Sequence, residues 1–103
     1  MTETVFNKIW IDRGIFMKTC EIVITNASGL HARPATFFIQ KANFYKSTIL
    51  IEKDDRKVNA KSLLGVLSLG IAKGMTIKLS AEGNDEDAAI DGLVSLINSG
   101  FNE

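Results

Sequence analysis

The chain of 103 residues contains one histidine, His31, in the run Gly29-Leu30-His31-Ala32-Arg33-Pro34-Ala35. A single histidine serves structure more often than chemistry, but its neighbours reverse that reading here. Proline is tolerated in a helix only in the first turn, where its missing N–H has no intrahelical partner, so Pro34 predicts a helix N-terminus with His31 at or just before it. Pro34 also biases Arg33 away from the α region, which predicts a strained entry to that helix. A helix N-terminus presents unpaired N–H groups and partial positive charge, and both suit an anion. A neutral imidazole placed there is a nucleophile. Once it carries a phosphoryl group, the first-turn N–H groups and the Arg33 guanidinium can hold the phosphate oxygens. A general-base role would need a serine or cysteine nucleophile, and none is linked to the motif; Ser28, the nearest hydroxyl, reads as a turn residue or cap.

The second candidate is Ser62 in Lys61-Ser62-Leu63-Leu64-Gly65-Val66-Leu67-Ser68-Leu69-Gly70. Serine is a preferred N-cap, and an apolar run closed by glycine follows it, so the plain reading is a cap on a short helix. At about 100° per residue, Leu63, Val66 and Leu69 cluster on one side, the expected core face. Leu64 and Leu67 point away from it. They are expected to form an exposed apolar patch beside a basic rim of Arg33 and Lys61, unless neighbouring loops or the N-terminal residues cover them.

These residues need a scaffold, and the hydrophobic pattern supplies one. Lys18 to Thr25 alternates, with Cys20, Ile22 and Ile24 on one side, as a half-buried strand does. Turn residues Asn26 to Gly29 lead to a helical pattern from about Arg33 to Phe44, with Ala35, Phe38, Ile39 and Ala42 on one stripe. Ser47 to Lys53 and Lys57 to Lys61 read as a hairpin turning at Asp54 and Asp55. Met75 to Glu82 is a strand with Ile77, Leu79 and Ala81 on one face. A final helix over about Asp85 to Ser99 has Asn84 as N-cap, acids in its first turn and a stripe of Ala89, Leu93, Leu96 and Ile97. The order β-α-β-β-α-β-α predicts an α+β fold, a two-layer open-faced sandwich in which a four-stranded, mainly antiparallel sheet is covered on one face by three helices.

The run GLHARPAT, with KSLLGVLSLG about 30 residues later, closely resembles the HPr family, the histidine-containing phosphocarrier proteins of the sugar phosphotransferase system. The resemblance covers Met17 to Glu103 and holds both motifs in their usual register. It implies that His31 is phosphorylated on Nδ1 by phospho-enzyme I, which draws on phosphoenolpyruvate, and passes the group to enzyme IIA domains of sugar permeases. It implies that Arg33 stabilises the phosphate. It further implies that Ser62 is the regulatory serine phosphorylated by the ATP-dependent HPr kinase/phosphorylase. The surface of the Ser62 helix, with Lys61, Leu63, Leu64 and Leu67, would then dock on enzyme I, IIA domains, the kinase and catabolite control protein A. Methionines are common in the family where this chain has Leu64 and Leu67, and leucine repacks less freely against varied partners. The resemblance implies a carrier with no cofactor, monomeric and cytoplasmic, rather than an enzyme. The alternative is a purely regulatory module acting through Ser62; family members of that kind typically lack the histidine.

Composition narrows the field further. Twelve basic and twelve acidic residues leave no net charge, which argues against bulk attraction to nucleic acid. The neutrality hides a gradient: residues 31–61 carry seven bases and three acids, whereas residues 82–103 carry six acids and no base. This predicts a surface whose positive side surrounds His31 and Ser62. One cysteine excludes an internal disulfide and a CxxC metal site, in keeping with a reducing, intracellular setting. Cys20 falls on the core side of its strand and reads as a buried thiol. The acids of Asp85 to Asp87 lack the glycine and distal glutamate of a calcium loop and are expected to serve the helix N-terminus, so no metal is expected. No GxxxxGK[ST] run suggests nucleotide binding. No apolar run approaches a membrane span, and Lys8, Asp12 and Arg13 interrupt any signal-peptide pattern. Residues 1–16 are nonetheless oily, with Val5, Phe6, Ile9, Trp10, Ile11, Ile15 and Phe16. They are expected to be an arm docking on the domain or a partner, or a translated leader ahead of a start at Met17, with the carrier domain over 17–103.

Overall fold

The computed structural model describes the backbone pairing of residues 4–5 and 8–12, and residues 18–102 in full fold context. From Lys18 onward the elements follow the expected order: β3 (Lys18–Val23), α1 (Ala32–Asn43), β4 (Thr48–Lys53), β5 (Arg56–Asn59), α2 (Leu63–Ser68), β6 (Thr76–Glu82) and α3 (Glu86–Asn98). Two short strands precede them, β1 (Thr4–Val5) and β2 (Lys8–Asp12). The sheet runs β1-β2-β3-β6-β4-β5 with every neighbouring pair antiparallel, so the four-stranded sheet expected from residue 18 is present and is extended to six strands by residues 4–12. The boundary expected at Met17 and the side chains expected to make residues 1–16 oily lie outside the described residues.

Strand alternation explains the single core. Cys20 pairs with Leu79 and Ile22 with Ile77, while Ile51 and Ile49 lie opposite Leu79 and Ala81 on the other side of β6. All of these side chains are buried, and Cys20 faces the core as expected. The residues between them, Glu21, Lys78 and Glu52, lie side by side on the opposite face. The three helices cover the apolar face: α3 packs on β3 and β6, and α1 packs against both α2 and α3. Phe38, Ala35 and Ala42 are the buried stripe of α1, and Ala89, Ile90, Leu93, Val94 and Ile97 that of α3. Gly92 lies within the unbroken α3 and leaves room for the Tyr45 hydroxyl, which stands where a β-carbon would be.

The start of α3 differs from the sequence reading. Its N-cap is Asp85 rather than Asn84, and the Asp85 side chain does not cap its own helix. The carboxylate instead accepts the N–H groups of Lys46 at 2.8 Å and Ser47 at 3.0 Å, and the Ser47 hydroxyl. Glu86 closes the turn ahead of the helix, accepting the Gly83 N–H on its carboxylate at 3.1 Å while its own N–H donates to the Gly83 carbonyl at 3.2 Å. Asp85 therefore ties α3 to the segment entering β4, a contact across 38 residues that periodicity does not show.

Candidate functional site

His31 is the N-cap of α1, in extended backbone at φ −131° and ψ 149°. Its side chain is exposed and makes no capping hydrogen bond, so the imidazole is free of the role that a cap residue usually plays. The loop before it is held from both sides. The buried Asn26 donates from Nδ2 to the Gly29 carbonyl at 2.9 Å and accepts the Gly29 N–H on its own carbonyl at 3.2 Å. Leu30, itself buried, donates its N–H to the Ile71 carbonyl at 3.0 Å. Gly29 has φ +63°, and a β-carbon there would overlap the Ile71 carbonyl and lie 2.8 Å from the Ala72 Cα, so only glycine serves. A rigid clamp thus delivers an exposed histidine to a helix end.

Pro34 occupies the first turn of α1 and is buried, as its chemistry demands. The strain expected at the helix entry is present but falls on Ala32, at φ +50°, one residue earlier than the proline rule places it. A non-glycine residue there costs about 1–3 kcal/mol. The residue turns the chain between His31 and Arg33. Arg33 is exposed and stands with its guanidinium carbon 5.6 Å from the Phe37 ring centroid, one turn along the same helix. Resting on an aromatic face costs the guanidinium none of its five N–H donors. There are no acids in the first turn of α1 to compete for them.

Ser62 is the N-cap of α2, as the sequence predicts, and its Oγ accepts the Gly65 N–H at 3.1 Å. The apolar faces of this helix depart from expectation. Leu63, assigned to the core face, is 42% exposed, whereas Leu67, assigned to the exposed patch, is half-buried against the core; Leu64 is 80% exposed and Val66 and Leu69 are buried. With six residues, α2 has fewer than two turns, and it packs against α1 and β5. The exposed apolar pair is therefore Leu63 and Leu64, directly after Ser62. Lys61 also differs from the free rim charge expected. Its Nζ donates to the Tyr45 carbonyl at 2.7 Å, and its N–H donates to Asn59 Oδ1 at 2.8 Å.

The far end of α2 is held by cations that sequence reading counted only as charge. Arg56 donates to the Ser68 carbonyl at 2.6 Å and to its hydroxyl at 3.0 Å, and Lys53 Nζ donates to the Leu69 carbonyl at 3.1 Å. Cations are favoured where helix carbonyls lack partners. The hairpin of β4 and β5 thus fixes α2, and the contact could be anticipated only from the proximity of that hairpin. Among the described residues, no group of three or more His, Cys, Asp or Glu side chains is placed to hold a metal ion, and no helix is long and apolar enough to cross a membrane.

Comparison with known proteins agrees with this geometry. The family model described as PTS HPr component phosphorylation site matches residues 18–99. The chain is 49% identical over 77 residues to the HPr-like protein Crh of Halalkalibacterium halodurans, covering 75% of this chain and 92% of that one. It is 44% identical over 82 residues to the phosphocarrier protein HPr of Neisseria meningitidis, covering 80% and 92%. The crystal structure of HPr-C-His from Thermoanaerobacter tengcongensis superposes with a TM-score of 0.82 at 55% identity, over 84% of this chain and 97% of that one. The HPr dimer from the same organism gives 0.69 at 56% identity, over 80% and 94%. Since the family model spans most of the length and the superposition extends over nearly the whole of a solved HPr, the chain belongs to the HPr family of phosphocarrier proteins of the phosphotransferase system.

Proposed function

We propose that this phosphocarrier accepts a phosphoryl group from phospho-enzyme I on Nδ1 of His31 and transfers it to enzyme IIA domains during sugar uptake. The observation that carries this reading is the exposed His31 side chain, uncommitted as a cap, at the N-terminus of α1. The P–N bond of the donor phosphohistidine breaks as the P–N bond to His31 forms, and the His31 P–N bond breaks in turn as the IIA acceptor bonds the phosphorus. Arg33, held over Phe37, presents guanidinium donors to the phosphate oxygens. Members of the family are carriers rather than catalysts in themselves, and an exposed nucleophile suits a residue over which donor and acceptor sites close in turn. The exposed pair Leu63 and Leu64, with Leu67 behind them and Lys61 adding charge, forms the docking surface for enzyme I and the IIA domains.

On this reading Ser62 is the second phosphorylation site, modified by HPr kinase/phosphorylase and recognised in that state by catabolite control protein A. The protein works in the cytoplasm as a monomer, without direct contact with nucleic acid or membrane insertion, although its T. tengcongensis relative is also known as a dimer. Residues 17–103 are the carrier domain. Incubation with phosphoenolpyruvate and enzyme I tests the main claim, with acid-labile phosphate expected on wild type and absent from His31→Ala.

A purely regulatory role through Ser62 is the second reading, favoured by the 49% identity to an HPr-like Crh protein. It predicts labelling by ATP and HPr kinase that Ser62→Ala abolishes, together with no transfer from enzyme I. Equal labelling of wild type and Ser62→Ala by the kinase would remove Ser62 from both readings.

A further inference from the structure

The loop that presents His31 leans on a second loop. Leu30 donates its N–H to the Ile71 carbonyl at 3.0 Å, and Gly29 packs so tightly that a β-carbon there would lie 2.8 Å from the Ala72 Cα. Residues Ala72 to Met75 form a turn that is closed twice. The Met75 N–H donates to the Ala72 carbonyl at 3.1 Å, and the Ala72 N–H donates back to the Met75 Sδ at 3.3 Å. The same turn is tied to the chain just after β3: the Ile24 N–H donates to the Met75 carbonyl at 2.9 Å and the Gly74 N–H to the Ile24 carbonyl at 2.7 Å. A thioether is a weak acceptor, and its use here fixes the sulfur within the scaffold behind His31. That sulfur is within reach of solvent, since Met75 is half-buried and Ala72 beside it is exposed. Met75 is the one methionine among the described residues, and Cys20, the other sulfur among them, is fully buried.

We infer that Met75 is an oxidation site coupled to His31: oxidants of the peroxide class convert its thioether to the sulfoxide, and the modified turn slows phosphoryl acceptance. The inference rests on His31 being the phosphoryl carrier. The sulfur lone pair attacks one peroxide oxygen, the S–O bond forms as the O–O bond breaks, and the second oxygen leaves as water. The thioether is thus oxidised by the electron pair that reduces the peroxide. The product is a polar side chain, and its oxygen is a stronger acceptor than the sulfur was. At 3.3 Å no oxygen atom fits between the sulfur and the Ala72 nitrogen, so the turn opens to seat it. Ala72 has no room to move toward Gly29, so the Ile71 and Ala72 backbone shifts the other way and loosens the Leu30 bond one residue before His31. Methionine sulfoxide reductases reverse the modification.

The test is the rate of His31 labelling by phosphoenolpyruvate and enzyme I after hydrogen peroxide treatment of the full chain. The oxidant is removed before enzyme I is added, and the Met75 sulfoxide is quantified by peptide mass spectrometry. Because a misplacement of about 1 Å can cost up to about 100-fold in rate, oxidised wild type is expected to label about 3- to 10-fold more slowly. A methionine sulfoxide reductase should recover the loss. Met75→Leu keeps the backbone bonds of the turn and retains Met1 and Met17, so it should label at the untreated wild-type rate before and after peroxide. Met75→Gln, which sets an amide oxygen at similar reach, should be slow from the outset and indifferent to peroxide, and it serves as the control if the leucine variant does not fold. The turn itself is read by exchange of the Leu30 amide, expected to be faster in the sulfoxide than in the reduced protein. An unchanged labelling rate in fully oxidised wild type, or an equal loss in Met75→Leu, would overturn the inference. Failure of untreated wild type to label would instead contradict the carrier reading, and unchanged Leu30 exchange on oxidation would then overturn the inference separately.

Discussion

The Ser62 hydroxyl accepts the Gly65 N–H at 3.1 Å, so the oxygen proposed to receive a regulatory phosphate is the oxygen that caps α2. Loss of the cap in Ser62→Ala should lower stability by about 1 kcal/mol, a fall in Tm of roughly 4–8 °C for a domain near this size. Phosphate keeps acceptor oxygens at the same helix end and adds negative charge where the helix favours it. Thermal denaturation of phosphorylated protein should therefore give a Tm above that of Ser62→Ala. A lower Tm would show that modification disrupts the helix rather than re-addressing its surface.

Arg33 depends on Phe37 for its resting place. Arg33→Ala should slow phosphoryl transfer about 10- to 100-fold, the loss expected for charge-assisted hydrogen bonds to a phosphate. Phe37→Ala should produce a smaller loss in the same direction, because the guanidinium keeps its charge but loses its platform. Rapid-quench transfer kinetics separate the two. Equal rates for Arg33→Ala and wild type would remove Arg33 from the site.

Leu64 is the most exposed large apolar side chain of α2, at 80%. Leu64→Asp should leave the unfolding free energy within about 0.5 kcal/mol of wild type. It should weaken partner docking by more than about 1 kcal/mol if Leu64 anchors that interface. The effect should be seen as a raised KM for the carrier in an enzyme I assay with kcat little changed. Leu67→Asp, at a half-buried position packed on the core, should instead destabilise the fold.

Asp85 provides a pH signature. Its carboxyl lies below its ordinary value of 3.8, held down first by the Ser47 hydroxyl and then by the Lys46 N–H, with the Ser47 N–H adding to both. Because the folded value is depressed, the stabilisation is complete above the unfolded value and is lost as pH falls through the folded one. Wild type should therefore lose stability below pH 3.8 more steeply than Asp85→Asn, measured by urea denaturation across the acid range. Parallel profiles would contradict this assignment.

The architecture was legible because the apolar residues of β3, β4 and β6 alternate and both long helices carry apolar stripes, so Cys20, Ile22, Ile77 and Leu79 declare one face and Phe38 and Leu93 the layer above it. Pro34 located the helix end that carries His31 for a reason intrinsic to its ring. Faces failed on α2, where six residues give fewer than two turns and so define no continuous stripe. The polar ties were invisible for a different reason. Asp85 to Ser47 and Arg56 to Ser68 join residues remote in sequence, and composition records their charges without their partners.

The central claim is that His31 itself carries the phosphoryl group. The direct measurement is phosphate stoichiometry and site after incubation with phosphoenolpyruvate and enzyme I, read by 31P NMR and mass spectrometry on wild type and His31→Ala. One acid-labile phosphate per chain is predicted, on His31 Nδ1, with none on His31→Ala. The exposed, uncapping side chain predicts an unchanged Tm for that variant. Undiminished labelling of folded His31→Ala would contradict the account.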